Sequence, residues 1–229
     1  VSVQSHRQSL QQPLQLVIAN KNYSSWSLRP WILLEHFGIP FEEIHIWLAE
    51  ADTERQILRY SPTGKVPCLI DGGGHAIWDS LAIAETLAER YAQHGFWPED
   101  PVARAHARSV SAEMHSGFSA LRNDMPMRIR SQLPGQGATP GALADIARID
   151  AIWRDCLQRY GGPFLFGAFS IADAMYAPVV MRFNTYHPAL SPQAAAYAAH
   201  CIAQPAMQAW IAGAQTEGHA IERYETHVA

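Results

Sequence analysis

Two adjacent serines, Ser24 and Ser25, stand in the stretch NYSSWSLRPW (residues 22–31), where a short apolar run gives way to the start of a helix. A serine at such a place does one of two things: it caps the free N–H groups of the first turn, or it turns its hydroxyl to a reacting group. The stretch SPTGKVPCLIDGG carries a second candidate. Pro67 at the entry of a strand suits a cis peptide, and Val66 is either an ordinary strand edge or the place where an extended peptide adds as a further strand. In WDS, Ser80 opens a helix whose free N–H groups favour a carboxylate, and Asp79 can accept from an ammonium group. The plainer alternative there is a cap with an acidic neighbour. Together, the Val66 and Asp79–Ser80 sites suit a zwitterionic peptide.

Other side chains are sorted by spacing. Arg108, His115 and Arg122 are seven apart, so one continuous helix carries them on one stripe. Facing a cleft, the stripe suits an anionic cosubstrate; facing solvent, it is a charged surface. Ser170 followed three residues later by Asp173 is a capping box with a short acid, which implies folding and not catalysis. The eleven histidines include no H-x-x-x-H or H-E-x-x-H, so no metal is expected. DGGGH lacks the lysine and spacing of a phosphate loop and reads as a hairpin turn.

The elements that must position these residues follow from periodicity. LQLVIAN reads as a buried strand and SLRPWILLEHFG as a buried helix stopped at Gly38, with Pro30 tolerated as a first-turn residue. IPFEEIHIWL reads as a second strand, with Phe41, Ile44, Ile46 and Leu48 on one face over most of its length. DTERQILRY is a short helix, KVPCLIDGGGHAIWD a hairpin, and SLAIAETLAERYAQ an amphipathic helix. The order is that of a small α/β domain over residues 14–95. A linker at FWPEDPVAR leads to an all-helical domain over 101–229, interrupted by the loop LPGQGATPG. Residues 1–13 are polar and glutamine-rich and read as a disordered leader.

Composition narrows the classes. Of 229 residues, 48% are apolar and 17% charged, as expected of a globular chain with a sizeable core. A formal charge of −4 gives no reason to expect a nucleic acid or an anionic membrane as partner. Three scattered cysteines argue against a disulfide framework, and no apolar run approaches the ~18 to 20 residues of a membrane span. A cytoplasmic protein is expected.

The turn SPTGKVPCL, then DSLAIAETLAERY, then an all-helical half resemble the cytosolic glutathione transferase superfamily over residues 14 to 229. NYSSWSLRPW and AEMHSGFSALR are similar to a bacterial serine-type, zeta-like subgroup with some beta-class features. The resemblance implies a thioredoxin-like N-terminal domain, a helical C-terminal domain, glutathione as cosubstrate and a homodimer. It implies that Lys65, Val66, Pro67, Asp79 and Ser80 hold glutathione, Val66 on the cysteinyl backbone and Asp79 with Ser80 on the γ-glutamyl end. It further implies that a hydroxyl at the start of the first helix stabilises the thiolate.

Zeta-class enzymes carry Ser-Ser-Cys-Ser with an arginine two residues on. SSWS followed by Arg29 matches the serines and the arginine, and Trp26 stands in place of the cysteine. The cysteine mechanism of the beta class is thereby excluded. Ser24 matches the zeta-class position, Ser25 that of delta- and theta-like enzymes, and Tyr23 is a further hydroxyl; the choice stays open. His115 matches a beta-class histidine near the sulfur, and Trp26, Arg108, His115 and Arg122 are assigned to the second-substrate site. The expected activity is attack of a serine-stabilised thiolate on a small, largely apolar electrophile. Maleylacetoacetate-type isomerisation and a non-catalytic relative acting through protein partners are the alternatives.

Overall fold

A computed structural model describes residues 13–225 of the chain. The leader expected over residues 1–13 lies, apart from Pro13, outside the described residues. β1 (Leu14–Ala19), α1 (Ser25–His36), β2 (Phe41–Ile46), α2 (Thr53–Ile57), β3 (Cys68–Ile70), β4 (Ala76–Trp78) and α3 (Ser80–Arg90) make the first half. Its sheet has the order β2-β1-β3-β4, with β1 parallel to β2 and the other pairs antiparallel. The period-2 pattern of β1 divides its side chains between two layers. Leu14, Leu16 and Ile18 join the core beneath α1 and α3, while Val17 packs with Ile46, Ile57 and Cys68 on the α2 side.

β2 corrects the expectation of one apolar face. Ile44 and Leu48 pack on the α2 side, but Phe41 packs on the main core, edge-on to Trp31. The reason is parity, because 41 is odd and 44, 46 and 48 are even. The hairpin forms as read: the Asp71 side chain accepts from Gly73 N at 2.9 Å and His75 N at 2.8 Å across the glycine turn.

The second half is helical: α4 (Pro101–Ser116), α5 (Ser119–Asp124), α6 (Pro140–Tyr160), α7 (Ile171–Tyr186), α8 (Pro192–Ile202), α9 (Pro205–Thr216) and α10 (Glu222–Glu225). The sheet and its helices are thioredoxin-like, and with the helical half they form the architecture that the motifs imply. Every residue of α7 except Asn184 is buried. α1 packs against α7 and α9, so both halves share one core. Burying Leu28, Ile32, Leu33 and Leu34 there contributes about 1.5–3 kcal/mol for each side chain.

Two helices depart from expectation. Pro30 lies inside α1, past the first turn, where it removes the N–H that the Trp26 carbonyl would otherwise accept. The single helix expected through AEMHSGFSALR is two helices. Gly117 ends α4, where an added Cβ would approach the Glu113 carbonyl oxygen to 2.8 Å, and Phe118 turns left-handed at φ 58° before α5.

The capping box is present at the start of α7. Asp173 Oδ2 accepts from Ser170 N at 2.9 Å and Ser170 Oγ at 3.0 Å. Its other oxygen, Oδ1, accepts from Leu165 N and Tyr197 Oη, each at 3.0 Å.

Candidate active site

The loop that delivers Ser24 is fixed from two sides. Asn20 accepts Tyr23 N and Ser24 N on its carbonyl and Leu48 N on its side chain, and Asn22 accepts Arg130 N from the helical half. Ser24 occupies the N-cap position of α1, yet its hydroxyl makes no capping bond. It pairs instead with Ser27 Oγ at 2.7 Å, and Ser27 Oγ accepts from Ala19 N at 3.2 Å. The first turn of α1 is therefore left without a side-chain cap, which makes its N-terminus a place for negative charge. Ser25, the first helical residue, is half-buried, and its hydroxyl accepts from Arg182 Nη2 at 3.4 Å.

Tyr23 lines the larger of the two cavities described below, but its hydroxyl is already engaged. Its hydroxyl donates to the Glu225 carboxylate and accepts from Ile221 N and Arg130 Nη2, and its ring stacks on Tyr224. Glu225 also pairs with Arg128. Tyr23 thus ties the start of α1 to residues 221–225. Tyr23→Phe is expected to lower stability by about 1 kcal/mol for the lost hydrogen bonds, read as a Tm shift, with no change in the titration of a bound thiol.

A cavity of about 420 Å³ is lined by Trp26, Thr63, Lys65, Val66, Pro67, Trp78, Asp79, Ser80 and His115. The Val66–Pro67 bond is cis. The main chain of Val66 makes no hydrogen bond among the described residues. Asp79 caps α3 from a strained backbone at φ 73°, accepting from Leu81 N at 2.9 Å. It also accepts from His115 Nε2 at 2.8 Å, a link from α4 to α3. Burial works to raise the Asp79 carboxyl, but the Leu81 N–H and the His115 hydrogen bond outweigh it and hold the carboxyl below its ordinary value. Ser80 is 1% exposed, and its Oγ has no hydrogen-bond partner. A buried hydroxyl with no partner at the N-terminus of an eleven-residue helix is matched to an incoming acceptor such as a carboxylate.

A second cavity, about 630 Å³, is continuous in lining with the first through Trp26, Lys65 and Val66. Ser24, Ser25, Arg122, Pro126, Met127, Arg182 and Tyr224 form its wall on the α1 and helical side. The structure therefore brings together Ser24, Ser25, Trp26, Lys65, Val66, Pro67, Asp79, Ser80, His115 and Arg122. Arg108 is not among them: it lies 3.5 Å from Glu85 and over Trp97, lining neither cavity. Arg108 shares α4 with His115 but stands two turns, about 10 Å, further along the helix, beyond the reach of the cleft; Arg122 lies past the turn at Gly117 and Phe118, on α5.

Sequence reasoning missed Ser27, Arg182 and Tyr224. Arg182 had a signal, being a lone cation in the apolar helix DAMYAPVVMRFNTY. Tyr224 had none, because its place depends on a contact with Tyr23, remote in sequence.

Comparison with known proteins agrees with this fold. Residues 23–90 match the family described as "Glutathione S-transferase, N-terminal domain", and residues 89–213 match "Glutathione S-transferase, C-terminal domain". The chain is 31% identical to a maleylacetoacetate isomerase of Rattus norvegicus, over 74% of this chain and 78% of that one. It is 28% identical to a zeta-class glutathione S-transferase of Euphorbia esula, over 70% and 74% of the two chains. A solved glutathione transferase homologue from Burkholderia, with bound glutathione, has the same fold at a TM-score of 0.67 and 23% identity, covering 90% of this chain and all of that one.

Proposed function

The chain belongs to the glutathione S-transferase family, and from that premise we propose that Ser24 stabilises the thiolate of glutathione for attack on a small electrophile. The observation that carries this reading is the uncapped N-terminus of α1, with two serine hydroxyls in one continuous cleft with Val66, Asp79 and Ser80. The residues fit glutathione. Ser80 Oγ and the α3 N-terminus receive the γ-glutamyl carboxylate, Asp79 its ammonium, and the unpaired Val66 main chain the cysteinyl backbone.

Position favours Ser24 over Ser25, because Ser24 is the N-cap residue at the positive end of α1. Either hydroxyl of the Ser24–Ser27 pair can donate; with Ser27, which accepts from Ala19 N, as the donor, the Ser24 hydrogen is left for the cleft. Ser25 Oγ accepts from Arg182, and its hydrogen is left free as well. In conjugation the sulfur forms a bond to an electrophilic carbon, and the displaced group leaves or the adduct takes up a proton. Ser24 holds the sulfur as an anion until then, and the cleft supplies proximity.

A second reading, cis–trans isomerisation, is favoured by the likeness to the rat maleylacetoacetate isomerase. Stoichiometry separates the two, since conjugation consumes one thiol per turnover and isomerisation none. The same reading places two copies in a homodimer, expected at twice the monomer mass by sedimentation.

Glutathione-agarose retention followed by a conjugation assay is the test. Retention with turnover is expected; no retention, and no thermal shift in millimolar glutathione, would contradict the reading. Retention without conjugation or isomerisation would point to a binding protein. Ser80→Ala separates site from scaffold. It is expected to leave Tm unchanged or slightly higher, because it removes an unpaired buried hydroxyl, while weakening glutathione binding about tenfold through the lost bond to a charged group. Calorimetric titration reads the second effect.

A further inference from the structure

Just before Ser24, where β1 gives way to α1, the main chain is bonded across to the helical half. The Lys21 and Asn22 N–H groups both donate to the carboxylate of Glu217, Lys21 to Oε1 and Asn22 to Oε2 at 3.0 Å. Neither N–H has another acceptor among the described residues. The carbonyls face the same way. Lys21 O accepts from Trp210 Nε1 on α9 at 3.0 Å, and Asn22 O accepts from Ile129 N at 3.3 Å. This turn places Ser24, because Asn20 O accepts Tyr23 N at 3.1 Å and Ser24 N at 2.8 Å, closing the loop over Lys21 and Asn22.

Glu217 is itself fixed on every side. It is the residue that ends α9, it is 8% exposed, and its Oε1 also accepts from His45 Nε2 on β2 at 3.2 Å. Arg130 Nη1 donates to the Glu217 carbonyl, while Arg130 N donates to the Asn22 side chain at 2.9 Å. The Lys21 ammonium is engaged elsewhere, paired with Glu43 at 2.8 Å. Burial works to raise the Glu217 carboxyl, but the His45 bond and the Asn22 and Lys21 N–H groups outweigh it. The carboxyl is held below its ordinary value and is ionised at neutral pH. Two of its three bonds go to main-chain N–H groups of one turn, so what it fixes is the path of the chain into Ser24.

We infer that Glu217 is a positioning residue for Ser24: its carboxylate sets the main chain of Lys21 and Asn22, and through it the hydroxyl that faces the thiol. A carboxylate acting through its charge would have the opposite sign. Loss of a nearby negative charge favours the thiolate, whereas loss of the positioning disfavours it. The inference rests on the Ser24 reading.

Glu217→Gln tests it. The variant keeps the length of the side chain, but its NH2 group must face one of the two N–H donors. With glutathione bound, ultraviolet titration should find the thiolate midpoint raised towards ~8.5. At pH 7, kcat should fall about tenfold while calorimetry finds glutathione affinity within about twofold of wild type. The affinity holds because Val66, Asp79 and Ser80 carry it. Tyr23→Phe is the control: it loses side-chain ties to residues 221–225 and leaves the main chain of the turn in place, so Tm falls and the midpoint stays. An unchanged or lowered midpoint in Glu217→Gln overturns the inference, as does an equal rise in Tyr23→Phe. Loss of glutathione by a folded Glu217→Gln protein also overturns it. If that variant does not fold, Glu217→Asp, which keeps the charge and shortens the reach by one methylene, is read by the same criteria. Failure of both to fold makes Glu217 a folding residue and overturns the inference. A wild-type protein that does not bind glutathione, or binds it with the midpoint at ~8.5, overturns the Ser24 reading and this inference together.

Discussion

Ser24→Ala is expected to lower kcat/KM by about a hundredfold, the usual scale for removing one preorganised donor from a developing or stabilised anion. The effect should fall mainly on the ionisation of the bound thiol, so the acidic limb of the pH–rate profile moves up towards the ordinary thiol value of ~8.5. At high pH, where the thiol ionises unaided, the variant should recover part of the loss. Ser25→Ala should stay within a few-fold of wild type, because Ser25 is the first residue inside α1 and Ser24 is the one at its N-cap. Ser27→Ala should reproduce part of the Ser24→Ala effect, since it removes the hydroxyl that orients Ser24.

Asp173→Ala is expected to cost about 3–5 kcal/mol of stability, the scale for removing one member of a buried charged network. Four donors lose their acceptor at once: Leu165 N, Ser170 N, Ser170 Oγ and Tyr197 Oη. Chemical denaturation should show the loss as a lower midpoint. Burial raises the Asp173 carboxyl to about 6 despite those donors. The folded state therefore binds an extra proton between the ordinary carboxylate value and about pH 6. For this group, stability is fully present below the ordinary value and is lost as pH rises through about 6. Wild type should lose more stability than Asp173→Asn between pH 4 and 7 in urea titrations, a difference that subtracts the other carboxylates.

Local signals made much of the molecule legible. The apolar run in LQLVIAN, the glycine turn in DGGGH and the Ser170–Asp173 box are short-range devices, and each forms as its residues dictate. The Val66, Asp79 and Ser80 sites are equally local, lying at element ends where backbone groups are free. What failed was phase carried over distance. Arg108 shares the stripe of His115 but sits two helical turns from the cleft, and Phe41, at an odd position, falls on the opposite face of β2 from Ile44 and Ile46. Contacts between remote segments were out of reach: Tyr23 meets Glu225, and Ser25 meets Arg182, only after α1 docks on the helical half. The same docking turned a stretch read as serines beside a tryptophan into an uncapped helix end in one cavity with Arg122 and Arg182.

The central claim, that Ser24 holds the glutathione sulfur as an anion, is tested most directly by titrating the ultraviolet absorbance of the thiolate in the glutathione-bound protein. The account predicts a midpoint clearly below ~8.5 in the wild type and in Ser25→Ala, and a return towards that value in Ser24→Ala. The same midpoint in wild type and Ser24→Ala, with glutathione bound in both, would contradict it.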